Sequence, residues 1–175
     1  MSFATQALAT FRRRNQASLD ESPLPAVFVM APTMPVTAAV TASWCPRSSL
    51  QMLGATERAG IGAGRSTIED AIRGFAVRTV VFCGEGTVRP DQAAERERLL
   101  GACVAVHDDP VLGPALRSWA VAVEALWFDT AEGDIYRWNA QTRRFDLLLD
   151  DGLERFFADI HQRAASAPRY ATTET

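Results

Sequence analysis

Two short runs constrain the fold of this chain more than any other feature. Ala26-Val27-Phe28-Val29-Met30 is a continuous apolar stretch closed off by prolines, and Val77 to Phe82 is strongly β-branched. A run of that length with no polar alternation reads as a strand buried on both faces, which is the signature of a parallel sheet. Between them Thr67 is expected to cap a helix, with Ile68, Ala71, Ile72 and Phe75 on one face and Glu69 and Asp70 in its first turn. Strand, helix and strand in that order predict an α/β fold with a mostly parallel central sheet and flanking helices. Ligands in such sheets sit beyond the C-terminal strand ends, so residues 31–35 and 83–89 are the first places to look for a site.

The rest of the chain fits around that unit. Residues 3–19 read as an N-terminal helix, with Phe3, Leu8 and Phe11 at helical spacing and Arg12, Arg13 and Arg14 at its end. Val36 to Trp44 is compatible with either a strand or a helix. Ala59 to Gly64 is expected to be a loop, and Cys83-Gly84-Glu85-Gly86 a turn closing the second strand. Helices follow over 91–104 and 111–119. Ala122 to Phe128 and Gly133 to Trp138 then form an antiparallel hairpin at the sheet edge, extended by Phe145 to Leu149. A last amphipathic helix, Leu153 to His161, precedes a polar tail over 164–175. Residues 1–163 are thus expected to make a single domain with an N-terminal helical arm.

Composition narrows the function. The 175 residues carry 18 Lys plus Arg against 21 Asp plus Glu, a net charge of −3 that argues against nucleic acid or an anionic membrane as partner. Three cysteines and two histidines cannot build a disulfide framework or a zinc ribbon. No apolar run is long enough for a membrane span, and the N-terminus lacks the apolar core of a secretory signal. A cytoplasmic protein is the expectation.

Three stretches, in order, resemble the β-class carbonic anhydrases. The strand 26–30 runs into Ala31-Pro32-Thr33-Met34-Pro35-Val36, where that family has a Cys-x-Asp-Ser-Arg-Val loop. Thr67-Ile68-Glu69-Asp70-Ala71-Ile72 is similar to the family's Ser-Ile-Glu-Tyr-Ala-Val helix. The strand after it leads into Gly84-Glu85-Gly86-Thr87-Val88, where the family has Gly-His-x-x-Cys. Trp127-Phe128-Asp129 through Gly133 and Tyr136 keeps the Asp-to-Gly interval of the family's closing hairpin.

The resemblance implies zinc held by two cysteines and a histidine, with an Asp-Arg pair controlling the fourth position. Matched residue by residue, Ala31 and Val88 stand for the cysteines and Glu85 for the histidine. Thr33 and Pro35 stand for the Asp-Arg pair. Alanine and valine carry no donor atom, and a lone carboxylate does not make a tetrahedral zinc site. Without the ion nothing lowers the pKa of water towards neutrality. The expectation is a scaffold with no metal or cofactor, acting as a structural or partner-binding subunit. The resemblance also implies a homodimer paired through the N-terminal helix and a sheet edge. Trp127, Phe128, Tyr136 and Trp138 are expected on the hairpin side or against a partner.

Several residues remain open to a second reading. Cys83 is first a core cysteine, but with Glu85 as acid or base it could be a nucleophile in the ancestral pocket. Ala31, Thr33, Pro35, Gly84 and Val88 would line that pocket, and Gly60, Gly62 and Gly64 could offer backbone N–H groups to an anion. Trp44-Cys45-Pro46-Arg47-Ser48 resembles a thioredoxin-like monothiol turn, which needs Cys45 at a helix N-terminus. Cys103 and His107 share a helix face only if their helix continues, and His161 reads as a surface residue.

Overall fold

A computed structural model of the chain describes residues 25–30, 34–44, 49–52, 62–87 and 92–166. The elements in chain order are β1 (Val27–Met30), α1 (Pro35–Trp44), β2 (Ser49–Met52), α2 (Gly62–Phe75) and β3 (Thr79–Gly86). They continue with α3 (Ala93–Asp108), α4 (Leu112–Ser118), β4 (Ala122–Asp129), β5 (Ile135–Asn139), β6 (Arg144–Leu148) and α5 (Asp150–Ala165).

The strands form one six-stranded sheet in the order β2-β1-β3-β4-β5-β6. β2, β1, β3 and β4 run parallel, while β5 and β6 add antiparallel. This is the α/β architecture that the two buried runs predict. β1 lies between β2 and β3, and all four of its residues are buried.

Strand alternation sends successive side chains to two cores. On one face Val27, Val29, Val80 and Phe82 pack with Ile68 and Ile72 of α2, Val106 of α3 and Leu112 and Leu116 of α4. On the other, Phe28, Met30, Val81, Leu126 and Phe128 pack with Phe156, Phe157 and Ile160 of α5, and with Ala38 and Val40 of α1. Each fully buried side chain of this size contributes about 1.5–3 kcal/mol of transfer free energy, so the two layers fix the sheet's position between its helices.

The structure corrects several expectations. Val36 to Trp44, compatible in sequence with either a strand or a helix, is a helix: Pro35 takes the first helical position, where its missing N–H costs nothing. The buried Thr41 hydroxyl is satisfied within the helix, donating to the Thr37 carbonyl at 2.8 Å with the Ala38 carbonyl at 3.2 Å. α2 begins at Gly62, so Gly62 and Gly64 lie in a helix rather than a loop, and Thr67 is inside the helix instead of capping it. Ser49 to Met52, where a short helix after Ser48 would have been needed, is an edge strand. The 16-residue α3 runs on to Asp108 and carries both Cys103 and His107.

β3 also continues past Phe82. Cys83 to Gly86 is not a turn, because parallel pairing with β4 holds it in the sheet through Gly86 opposite Asp129. Trp127 and Phe128 are each 2% exposed and belong to the core, not to an outer face. α5 extends to Ala165, with Ala164 buried. The N-terminal helix expected over 3–19 lies outside the described residues.

The hairpin turn shows what the Asp-to-Gly interval does. The buried Asp129 carboxylate accepts from Ala131 N at 2.8 Å and Glu132 N at 3.4 Å. Gly133 N donates back to the Asp129 carbonyl at 2.8 Å, with Gly133 at φ 79°, a conformation that favours glycine.

Candidate functional site

The C-terminal ends of β1 and β3 lie side by side, with α1 starting five residues after β1 ends at Met30. The central feature there is one carboxylate. Glu85 Oε2 accepts from the Thr37 backbone N–H at 3.0 Å and from the Thr37 hydroxyl at 2.9 Å. Thr37 is fully buried, whereas Glu85 keeps partial contact with solvent.

The local sequence explains the arrangement. The first helical bond of α1 runs from Ala38 N to the Met34 carbonyl at 3.1 Å, which makes Met34 the N-cap residue. Methionine has no oxygen to offer the free N–H groups of the first turn. Pro35 removes one of those groups, and Glu85 reaches across from β3 to satisfy the one at Thr37. A negative charge at this end of a helix is further favoured by the macrodipole. The carboxylate therefore caps α1 from a residue 48 positions away in sequence.

Gly84 sits beside this clasp for a steric reason. A Cβ there would lie 2.5 and 2.6 Å from ring atoms of Trp127 and 3.2 Å from Leu99. The Arg96 guanidinium lies over the same indole, 5.8 Å from the ring centroid.

Cys83 faces the same side of the sheet as Glu85, yet there is no hydrogen bond between them. Its thiol donates to the Val81 carbonyl at 3.8 Å, and burial pushes its pKa far above the ordinary thiol range. Cys103, on the opposite face, has its thiol 4.0 Å from the Glu124 carbonyl and its pKa pushed up to about 12, again by burial. His107 and His161 are exposed. Among the described residues no three His, Cys, Asp or Glu side chains come together as a metal site. Pro35 is exposed at the start of α1. Ala31, Thr33, Cys45, Gly60 and Val88 lie outside the described residues.

Position 31 is alanine and position 88 is valine, neither with a ligating side-chain atom, and one of the two Glu85 carboxylate oxygens, Oε2, is engaged by Thr37. The residue that sequence reasoning missed is Thr37. Its signal was the pairing of Pro35 with a threonine two residues on, at a strand-to-helix junction.

Neither family models nor the sequences of curated proteins give a match to this chain. Among solved structures, the β-carbonic anhydrase CcaA superimposes with a TM-score of 0.56, at 12% identity, over 88% of this chain and 92% of that one. A tetrameric β-carbonic anhydrase of Sordaria macrospora matches at TM-score 0.48 and 14% identity, over 78% of this chain and 94% of that one. CafA, a β-carbonic anhydrase of Aspergillus fumigatus, matches at 0.44 and 14%, over 95% of each chain. The first of these superpositions establishes that the chain has a β-carbonic-anhydrase-like fold, and at such identities the likeness speaks to the fold alone.

Proposed function

We propose that this protein is a β-carbonic-anhydrase-like scaffold without zinc or CO₂ hydration, which works as a structural or partner-binding subunit. The observation that carries the reading is the Glu85–Thr37 clasp. Where the resembling family would place a histidine ligand, this chain has a carboxylate committed to holding a helix start against the sheet. The residues matched to the other two ligands, Ala31 and Val88, have no donor atom.

We assign it to the cytoplasm as a homodimer. The free thiols Cys83 and Cys103 suit a reducing compartment. Phe3, Leu8 and Phe11, which recur at helical spacing in the sequence, are the apolar residues we assign to pairing. Among the described residues no helix is long and apolar enough to cross a membrane.

Elemental analysis of the purified protein, with a CO₂ hydration assay before and after zinc addition, tests the reading. The expected result is substoichiometric metal and no hydration above the uncatalysed rate. Stoichiometric zinc accompanied by hydration would overturn it.

A further inference from the structure

At the other end of the sheet from Glu85, a cleft of about 830 Å³ opens between the end of α4 and the last turns of α5. Its size lies within the range of small-molecule sites. Arg78, immediately before β3, forms part of its wall and is only 6% exposed. A buried guanidinium normally has an acidic partner, because removing it from water is costly otherwise. Here it has none among the described residues. Arg78 Nη1 donates to the Val77 carbonyl at 3.3 Å, and the guanidinium stacks 5.0 Å from the Trp119 ring centroid. Among the described residues the rest of its five-donor fork has no protein acceptor.

A second arginine lines the same cleft. Arg163 Nη1 reaches Glu124 Oε1 at 3.4 Å, but that carboxylate is already held in bidentate fashion by Arg137, at 3.0 and 2.9 Å. Glu124 cannot neutralise both cations, so positive charge is left over at the cleft. Gln162 and Ser118 add neutral donors, and Asp159 is the one acidic residue of the lining.

We propose that this cleft binds a small oxyanion, a carboxylate or a phosphate monoester, through Arg78 and Arg163. The guanidinium fork matches the geometry of either group, and Trp119 holds the Arg78 plane in a fixed orientation before the ligand arrives. The site lies away from the Glu85 end and does not depend on whether that end has lost zinc.

The test is a titration of the whole chain with inorganic phosphate and, separately, with acetate, at ionic strength held constant with sodium chloride. Thermal unfolding and the arginine Nε–H NMR signals are the readouts. A saturable rise in Tm is expected, with shifts at Arg78 and Arg163, and the more effective anion identifies the ligand class. Arg163→Gln should weaken binding about tenfold, the loss of one charge-assisted hydrogen bond. Arg155→Gln, which removes a charge from the same helix outside the cleft, should bind as the parent does. Arg78→Met should abolish binding if it folds, and Arg163→Gln decides the matter if it does not. No saturable effect from either anion would overturn the proposal. Equal losses in Arg163→Gln and Arg155→Gln would also overturn it, since they would mean an adventitious ion only.

Discussion

Replacing Glu85 with alanine removes the cap of α1 without touching the hydrophobic cores. Two donors on the fully buried Thr37 lose their acceptor, one at 3.0 Å and one at 2.9 Å. Leaving a buried donor unsatisfied costs about 1–3 kcal/mol, and losing a negative charge at a helix start costs about 0.3–1 kcal/mol more. Solvent reaches Glu85, so water can replace part of what is lost. The expected destabilisation of Glu85→Ala is therefore about 3 kcal/mol, at the low end of that sum. Glu85→Gln keeps an acceptor oxygen and should lose only about 1 kcal/mol. Urea unfolding is the assay, with the midpoint lowered and the slope unchanged because the buried area stays the same. Hydrogen exchange at the Thr37 amide should accelerate in Glu85→Ala before exchange in β3 does. A double-mutant cycle with Thr37→Val isolates the hydroxyl bond, with an expected coupling of about 1 kcal/mol. A Glu85→Ala protein within about 0.5 kcal/mol of the parent, with Thr37 still protected, would refute the capping role.

Other perturbations probe other parts of the fold. Burial raises the Cys103 pKa from 9.0 to about 12 and raises that of Cys83 as well, so above pH 9 the unfolded chain loses thiol protons that the native chain keeps. Stability should then fall as pH rises from 9 towards 12, by about 1.4 kcal/mol per pH unit for each thiol, and Cys103→Ala should remove its share of the slope in alkaline urea titrations. Gly84→Ala places a methyl group 2.5 Å from Trp127 and should cost about 1–3 kcal/mol through overpacking, a cost that should shrink when the same change is made in a Trp127→Leu background. Gly133→Ala meets no atoms within 4 Å, so its cost, about 1–2 kcal/mol in Tm or urea measurements, should come from φ 79° alone, and Gly133→Asn should be milder.

The parts of the fold legible in the sequence are those whose signal is local. β1 announces itself by an unbroken apolar run between prolines, and the hairpin by Asp129 and Gly133. α1 is different: Val36, Thr37, Val40 and Thr41 are poor helix formers, and the helix is completed by an acceptor 48 residues away. β2 has no β-branched residue in Ser49 to Met52, so only its pairing with β1 makes it a strand. Gly84 and Gly86 look like turn residues because nothing nearby in sequence shows the Trp127 ring packed against the backbone at Gly84 or the Gln92 side chain packed at Gly86. At the candidate site, position 85 was legible and its function was not. A carboxylate after a strand suggests acid or base chemistry until its partner, Thr37, is seen.

The two borders of the sheet differ in how they would receive another chain. β6 forms one border, and it carries Arg144 and Asp146 locked in an ion pair at 2.6 Å, with Asn139 of β5 also bonded to Asp146 at 2.8 Å. Charged side chains on an outer strand discourage edge-to-edge addition. β2 forms the opposite border, four residues with neither a charge nor a proline to deter pairing. Among the described residues, charge thus guards the hairpin side against strand addition, while β2 carries no such deterrent in its own sequence.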